Sequence, residues 1–110
     1  MKWIALTSVE ELEQLANSGT YAIIFKHSTR CPVSNMAKKT FEFESTLIPE
    51  GTPVYFLDLI KYREVSNKIA EKWQVKHESP QILLIKGDEC LYHESHNAIE
   101  AAKVVIHLPN

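Results

Sequence analysis

Apolar residues follow two different periods along the chain. Short apolar runs of strand length recur, and the run at residues 21–26 is almost uninterrupted, which is typical of a central strand buried on both faces. Between these runs, apolar residues return every three or four positions, as they do on the buried face of an amphipathic helix. The pattern therefore predicts strands and helices that alternate along the chain.

Capping and turn residues set the bounds of the predicted elements. Ser8 begins a capping box for the first helix, Pro32 suits the first position of the second, and Asn97 caps a last helix that ends near Pro109. A third helix has its apolar face at residues 65, 69 and 73. The predicted strands are residues 3–6, 21–26, 54–59, 81–86 and 89–94.

The last two predicted strands are joined by Gly87 and Asp88, a two-residue hairpin signal that makes them antiparallel. Helices separate the earlier strands, and such crossovers join parallel strands. The chain therefore predicts an α/β fold, with a mixed central sheet of about five strands flanked by about four helices. Its 110 residues predict a single domain over residues 1–110.

Composition argues against several classes of function. The net charge is −2 and the basic residues are scattered among the acidic ones, so we expect no nucleic-acid partner. No apolar run approaches the ~20 residues of a membrane span, so we expect no membrane partner. Polar Thr7 and Ser8 interrupt the apolar residues before a secretory signal could develop, which predicts a cytoplasmic location.

Cys31 is the candidate catalytic nucleophile. The two cysteines of the chain are too few for a disulfide-rich scaffold or a cysteine-based zinc site. Cys31 follows a buried strand and a short loop and directly precedes Pro32, which places its sulfur at a helix N-terminus. Unpaired backbone N–H groups and the helix dipole favour a thiolate at such a position. A buried structural cysteine is the alternative interpretation.

Several side chains near Cys31 could stabilise its thiolate. A cation close to the sulfur favours the anionic form, and Ser34, one helical turn further on, could donate a hydrogen bond to it. Which of the upstream cations points towards the sulfur stays open. The residues predicted to tune the thiolate are Lys26, His27, Arg30, Pro32 and Ser34.

Ser34 also determines the predicted mechanism, because a hydroxyl group cannot form a disulfide. A substrate attacked by Cys31 stays attached to it as a mixed disulfide until an external thiol displaces it. Mixed disulfides with small thiols are therefore the natural substrates of this arrangement. Thiolate stabilisation helps most in the release step, in which the sulfur of Cys31 is the leaving group.

The motif Cys-Pro-Val-Ser at residues 31–34, after a buried strand, resembles the active site of thioredoxins and glutaredoxins in its single-cysteine form. Residues 70–87 are similar to the thioredoxin segment in which a helix is followed by a cis-proline and a hairpin. The resemblance implies a thioredoxin-like fold in which Pro80 is the cis-proline and the backbone of Ser79 pairs with bound substrate. An ordinary trans proline at a strand start is the alternative.

Over nearly its whole length the chain resembles the monothiol bacilliredoxin family, thioredoxin-like proteins of bacillithiol-using bacteria. Arg30 stands where the family has threonine, and Val33 where it has isoleucine. The resemblance implies an enzyme that removes bacillithiol from S-bacillithiolated cytosolic proteins, with no bound cofactor and bacillithiol as co-substrate. Bacillithiol carries a malate group, and Lys26, Arg30 or Lys38 could pair with its carboxylates.

Cys90 is the other thiol that could resolve the mixed disulfide. In the predicted hairpin it lies opposite Ile85, about 16 Å from the active-site end of the strand, which is too far for a disulfide with Cys31. Cys90, His93 and His96 resemble a set of metal ligands, but neighbours three residues apart on a strand point to opposite faces, so we expect no metal site. Cys90 is therefore predicted to be a structural strand residue.

Two other classes of function stay open at this stage. An iron–sulfur carrier resembling the monothiol glutaredoxins would hold its cluster with Cys31 and an external thiol, although Pro32 replaces the glycine usual there. A non-catalytic binding module of the thioredoxin fold would bind its partners equally well after Cys31→Ser. The enzyme hypothesis requires instead a reactive thiolate at Cys31.

Overall fold

Five strands and four α-helices alternate through residues 1–109, the part of the chain that the computed structural model describes. The strands are β1 (Trp3–Ala5), β2 (Tyr21–His27), β3 (Val54–Asp58), β4 (Gln81–Lys86) and β5 (Glu89–Ser95). The helices are α1 (Val9–Asn17), α2 (Pro32–Phe43), α3 (Arg63–Trp73) and α4 (Ala101–Val105), with 3₁₀ turns at Ser45–Leu47 and His96–Ala98. None of these helices has the length and apolar character that crossing a membrane requires. The predicted α/β fold with a mixed sheet is confirmed.

Strand β2 lies at the centre of the sheet, whose strand order is β1-β3-β2-β4-β5. It pairs in parallel with β3 and antiparallel with β4. Residues 22–27 are all buried, which confirms the prediction of a central strand covered on both faces. The strand is one residue longer than predicted, because His27 continues it instead of starting the loop.

Two apolar layers flank the sheet. On one face, Ala22 and Ile24 of β2 pack in a cluster with α1 and α3. On the other face, Ile23 and Phe25 pack with α2 and α4. Because side chains alternate along a strand, consecutive residues of β2 contact different helices. This alternation decides which β2 side chains lie on the α2 side of the sheet.

Helix α1 begins at the predicted capping box. Ser8 Oγ accepts a hydrogen bond from the backbone N–H of Glu11 at 3.1 Å. In return, Glu11 Oε1 accepts from the backbone N–H of Thr7 at 3.1 Å and from its hydroxyl at 2.7 Å. The hydroxyl of Thr7 makes the largest contribution to a lowered pKa of the Glu11 carboxyl. These bonds satisfy N–H groups that a helix start leaves open, and Ser8 is confirmed as the cap.

The start of the last helix differs from the prediction, because Asn97 does not cap it. Residues His96–Ala98 form a 3₁₀ turn, and α4 begins only at Ala101. The backbone N–H of His96 donates to the carbonyl oxygen of Pro80 at 2.9 Å, and His96 has a left-handed φ of 59°. This long-range contact fixes a backbone conformation that a helix cannot adopt, so the helix starts further along the chain.

Phe41 and Phe43 provide a matched test of how α2 packs. Phe41 is fully buried, whereas Phe43 on the same helix is 90% exposed. Because Phe41→Ala leaves a cavity, we expect it to lower the free energy of unfolding by about 3–5 kcal/mol. Phe43→Ala should change that free energy by less than about 0.5 kcal/mol. Urea unfolding of both variants measures the difference, and equal losses would contradict this packing.

Candidate active site

Cys31 is the residue that precedes the first turn of α2, and Pro32 occupies the first helical position. Its backbone N–H donates to the carbonyl oxygen of Ser28 at 3.1 Å, and its own carbonyl oxygen accepts from the N–H of Asn35 at 3.1 Å. The Cys31 side chain is partly exposed. The sulfur makes no capping hydrogen bond to the helix, so the N-terminal turn keeps open N–H groups. The predicted placement of Cys31 at a helix start is confirmed.

Ser34 lies in the first turn of α2 and is fully buried. Its Oγ accepts from the backbone N–H of Ser28 at 3.0 Å and lies 2.7 Å from Nδ1 of His27. The sequence spacing predicts that this hydroxyl could donate to the sulfur of Cys31. Within residues 1–109, the hydrogen-bond partners of Ser34 Oγ are instead His27 and Ser28.

His27 is the last residue of β2 and is 4% exposed. It has the same strand phase as Ile23 and Phe25, so its ring faces the α2 side of the sheet, where it lies 5.2 Å from the ring of Phe56. Burial lowers the pKa of His27, and the charge of Lys38 lowers it further. His27 is therefore a mostly neutral imidazole next to the site.

Lys26 lies on the opposite side of the sheet from His27. Its side chain is fully buried, and its Nζ donates to the carbonyl oxygen of Ser66 at 3.2 Å and lies 3.3 Å from Nδ1 of His77. Burial, assisted by the charge of Arg63, lowers the pKa of Lys26 to about 8. The structure therefore does not bring the ammonium group of Lys26 into contact with Cys31. A fully buried lysine also cannot reach the carboxylates of a ligand at the surface.

Arg30 and Lys38, the other two candidate cations, differ in whether their charge is free to contact a ligand. Arg30 is exposed in the turn directly before Cys31. Lys38 is paired with Glu42 at 2.9 Å and also lies 5.6 Å from the ring centre of Trp3. Arg30 is therefore the predicted basic residue that is placed to act at the surface beside the sulfur.

The peptide bond between Ser79 and Pro80 is cis. Pro80 is buried directly before β4, whose first residue, Gln81, lies in register with Lys26 near the end of β2. This register places the cis-proline segment at the end of the sheet from which the loop to Cys31 leaves. The hydroxyl of Ser79 is buried, and within residues 1–109 it has no hydrogen-bond partner.

A groove of about 370 Å³ runs beside the N-terminal half of α2. Pro32, Val33 and Met36 line it on the helix side, and Asn97 and Ile99 line the opposite side. Val33 and Met36 are 47% and 67% exposed, which is high for apolar side chains. Apolar residues at helical spacing are the same signal for a buried face and for an open groove, so the sequence pattern does not reveal this groove.

Cys90 lies opposite Ile85 in the β4–β5 hairpin, as predicted. Its thiol donates to the carbonyl oxygen of Tyr92 at 3.5 Å, and burial raises its pKa. Both cysteines are free thiols. Cys90, whose pKa is raised, is therefore poorly reactive at neutral pH, because the thiolate is the reactive form.

The chain is similar to a known family and to several solved structures. A family model described as Monothiol bacilliredoxin BrxC matches residues 4–104. A solved structure described as an oxidoreductase with a thioredoxin fold shares 29% identity at a TM-score of 0.84, over 97% of this chain and 94% of that chain. Thioredoxins of Malassezia sympodialis and Nicotiana alata share 16% and 15% identity, with TM-scores of 0.73 and 0.76. They cover 97% and 98% of this chain, and 88% and 93% of their own.

The sheet order, the cysteine at the start of α2 and the match to a thioredoxin-fold oxidoreductase define the class of the protein as a thioredoxin-fold redox protein. Serine at position 34 leaves a single cysteine in its motif. The chain belongs to the monothiol bacilliredoxin family, whose model matches well over half of it.

The buried ammonium group of Lys26 predicts a specific pH dependence of stability. The pKa of Lys26 is lowered from 10.5 to about 8 on folding, so between these values the unfolded chain binds more protons than the folded one. Stability should therefore rise with pH across this window, by on the order of 3 kcal/mol. In Lys26→Met this contribution should be absent, whereas the exposed control Lys39→Met should keep it. Urea unfolding across the window measures both, and parallel profiles for wild type and Lys26→Met would contradict the assignment.

Proposed function

We propose that this protein is a monothiol oxidoreductase that removes bacillithiol from S-bacillithiolated proteins of the cytoplasm. The proposal rests mainly on one observation. The partly exposed sulfur of Cys31 lies at the N-terminus of α2, while the position of a second motif cysteine holds the buried hydroxyl of Ser34. Such a site has a nucleophile but no thiol of its own to complete a disulfide.

In the first step, the thiolate of Cys31 attacks the bacillithiol sulfur of the mixed disulfide on the target protein. A new disulfide forms between Cys31 and bacillithiol, the old one breaks, and the cysteine of the target leaves as a thiolate that takes a proton from water. In the second step, the thiolate of a second bacillithiol attacks the bacillithiol sulfur bound to Cys31. Cys31 leaves as a thiolate, and bacillithiol disulfide is the oxidised product.

The position of Cys90 supports the need for an external thiol. Cys90 lies opposite Ile85 within the hairpin, towards the turn and away from the cis-proline end of β4. Its thiol is engaged with Tyr92 and has a raised pKa because of burial. Neither Cys90 nor the hydroxyl of Ser34 is therefore suited to resolve the mixed disulfide on Cys31.

The surroundings of Cys31 divide into two surfaces with different chemistry. Arg30 is exposed in the preceding turn and could make charge-assisted hydrogen bonds to the malate carboxylates of bacillithiol. On the other side, the groove lined by Val33 and Met36 is apolar and would accommodate the target protein around its modified cysteine. The backbone of Ser79, before the cis-proline, would pair with an extended segment of that target.

The two cysteines provide a matched test of this function. In Cys31→Ser, release of bacillithiol from an S-bacillithiolated protein should fall to the rate that bacillithiol alone produces, because the nucleophile is gone. In Cys90→Ser the rate should stay within about twofold of wild type. The assay follows loss of the bacillithiol mass from the target by mass spectrometry, with free bacillithiol present.

Three results would contradict the proposal. Unchanged release by Cys31→Ser would remove Cys31 from the reaction, and equal loss in both variants would indicate a structural effect. Wild-type protein that fails to accelerate release would point instead to a binding module. Iron and a visible absorption band in the purified protein would favour the iron–sulfur carrier, in which Cys31 and an external thiol hold the cluster.

A further inference from the structure

Three buried polar side chains form a row across one end of the sheet. Lys26 of β2 lies opposite Gln81 of β4, and Gln81 lies opposite Ser95 of β5. Because residues that lie opposite one another in a sheet direct their side chains to the same face, the three form one polar row on the α3 side. Lys26 and Gln81 are fully buried, and Ser95 is 9% exposed. Each of them has a hydrogen-bond partner in the same loop.

The three partners are consecutive residues of the loop that leads to the cis peptide bond. Gln81 donates from Nε2 to the carbonyl oxygen of Lys76 at 3.0 Å. Ser95 donates from its hydroxyl to Oε1 of Glu78 at 3.2 Å. The third member of the polar row contacts the residue between these two. The polar row therefore holds three successive residues of the loop.

That third contact joins Lys26 to His77. Nζ of Lys26 lies 3.3 Å from Nδ1 of His77 and donates to the carbonyl oxygen of Ser66 at 3.2 Å. Burial and the charges of Lys26 and Arg63 lower the pKa of His77, so its ring is mostly neutral. An ammonium group has donors and no acceptor, so Nδ1 of the neutral ring accepts from it. The contact is therefore a hydrogen bond from β2 to the middle of the loop.

Lys26 is an unfavourable residue for the core of this fold. Within residues 1–109, no ion pair joins its ammonium group to a carboxylate. Burial lowers the pKa of Lys26 to about 8, which means that the fold disfavours the charged form. A buried charge without a counter-ion destabilises a fold, and an apolar side chain of similar length would avoid that loss. A lysine at this position therefore points to a role other than stability of the core.

Ser79 follows the three held residues. Among residues 1–109, its backbone has no hydrogen bond to another backbone group, and its buried hydroxyl has no partner. On its other side, the carbonyl oxygen of Pro80 accepts from the backbone N–H of His96 at 2.9 Å. The chain is therefore fixed before and after Ser79, while the backbone groups of Ser79 stay available. Groups that are held in place before binding lose less entropy when a ligand binds.

We propose that the polar row positions the backbone of Ser79 for pairing with an extended segment of the target protein. Lys26 is a positioning residue that acts through His77. The polar row serves recognition of the protein target and takes no part in the thiol exchange at Cys31. A small disulfide that has no polypeptide segment does not use it. The proposal rests on the proposed function of the site.

Steady-state kinetics with two substrates test the proposal. Lys26→Met and Ser95→Ala each remove one donor of the polar row. With an S-bacillithiolated protein, we expect Lys26→Met to raise KM about tenfold, which corresponds to about 1.4 kcal/mol, while kcat stays within about twofold. Ser95→Ala should raise KM in the same direction. With the mixed disulfide of bacillithiol and cysteamine, both variants should keep kcat/KM within about twofold of wild type.

Lys39→Met is the matched control, because it makes the same change at an exposed position of α2. It should leave the kinetics with both substrates unchanged. An unchanged KM for the protein target in either variant of the polar row would overturn the proposal. An equal loss with the cysteamine disulfide would also overturn it, since the polar row would then act on Cys31 or on the fold as a whole.

A second measurement observes the loop directly, in the reduced protein and without substrate. Backbone nitrogen relaxation gives NMR order parameters for residues 77–79. We expect values near about 0.85 in wild type and in Lys39→Met, and below about 0.6 in Lys26→Met. The hairpin turn at Gly87 should keep its value in all three proteins. Equal loop order in wild type and Lys26→Met, or an equal loss of order at Gly87, would overturn the proposal.

The outcome is distinguishable from failure of the proposed function. The NMR measurement needs neither bacillithiol nor a target protein. If the wild-type protein does not accelerate bacillithiol release while loop order still depends on Lys26, the polar row holds the loop and the assigned target is wrong. If release is accelerated while the variants of the polar row behave as wild type, the function stands and the role of the polar row is wrong.

Discussion

The hydrogen bonds that close the loop between β2 and α2 are the constraint on which the site depends. The backbone N–H of Ser28 donates to Ser34 Oγ, and the backbone N–H of Cys31 donates to the carbonyl oxygen of Ser28. The loop is thereby attached to the helix that it precedes. Cys31 is held at the start of α2, where open N–H groups and the helix dipole favour an anionic sulfur. Without this closure, the first turn of the helix would fray and the sulfur would lose its electrostatic environment.

Because side chains alternate along β2, its last two residues lie on opposite faces of the sheet. His27 lies on the α2 side and contacts Ser34, whereas Lys26 lies on the α3 side and contacts Ser66. Both residues are buried. The cation therefore lies on the α3 side, and a mostly neutral ring lies on the side of α2, the helix that Cys31 precedes. The helix terminus is consequently the feature of this fold that favours a thiolate at Cys31, with Arg30 as the exposed charge nearby.

Much of the fold could be predicted from local sequence. The continuous apolar run of β2 and the capping box at Ser8 depend on neighbouring residues, so their positions were predicted closely. Pro32 fixed the start of α2 for the same reason, and with it the position of Cys31. What could not be predicted depends on contacts between distant segments. The hydrogen bond from His96 to Pro80 moved the start of the last helix, although Asn97 is a good local cap.

Local sequence patterns also do not predict the hydrogen-bond partners of the site residues, with one exception. The contact between Lys26 and Ser66 joins residues 40 positions apart, and spacing gives no sign of it. The contact between His27 and Ser34 joins residues seven positions apart. Extending the predicted strand by one residue would have placed His27 on the face of Ile23 and Phe25, next to α2. The alternation of apolar residues in β2 therefore contains this information, which a strand that ends at residue 26 does not use.

The central claim is that Cys31, partly exposed at the start of α2, is the reactive thiol of this fold. Competitive alkylation of the wild-type protein tests it most directly, with the modified fraction of Cys31 and of Cys90 measured by mass spectrometry as pH is raised. We expect Cys31 to be alkylated well before Cys90, because burial raises the pKa of Cys90 and the thiolate is the reactive form. If the two thiols gain reactivity together as pH rises, the account of Cys31 is wrong.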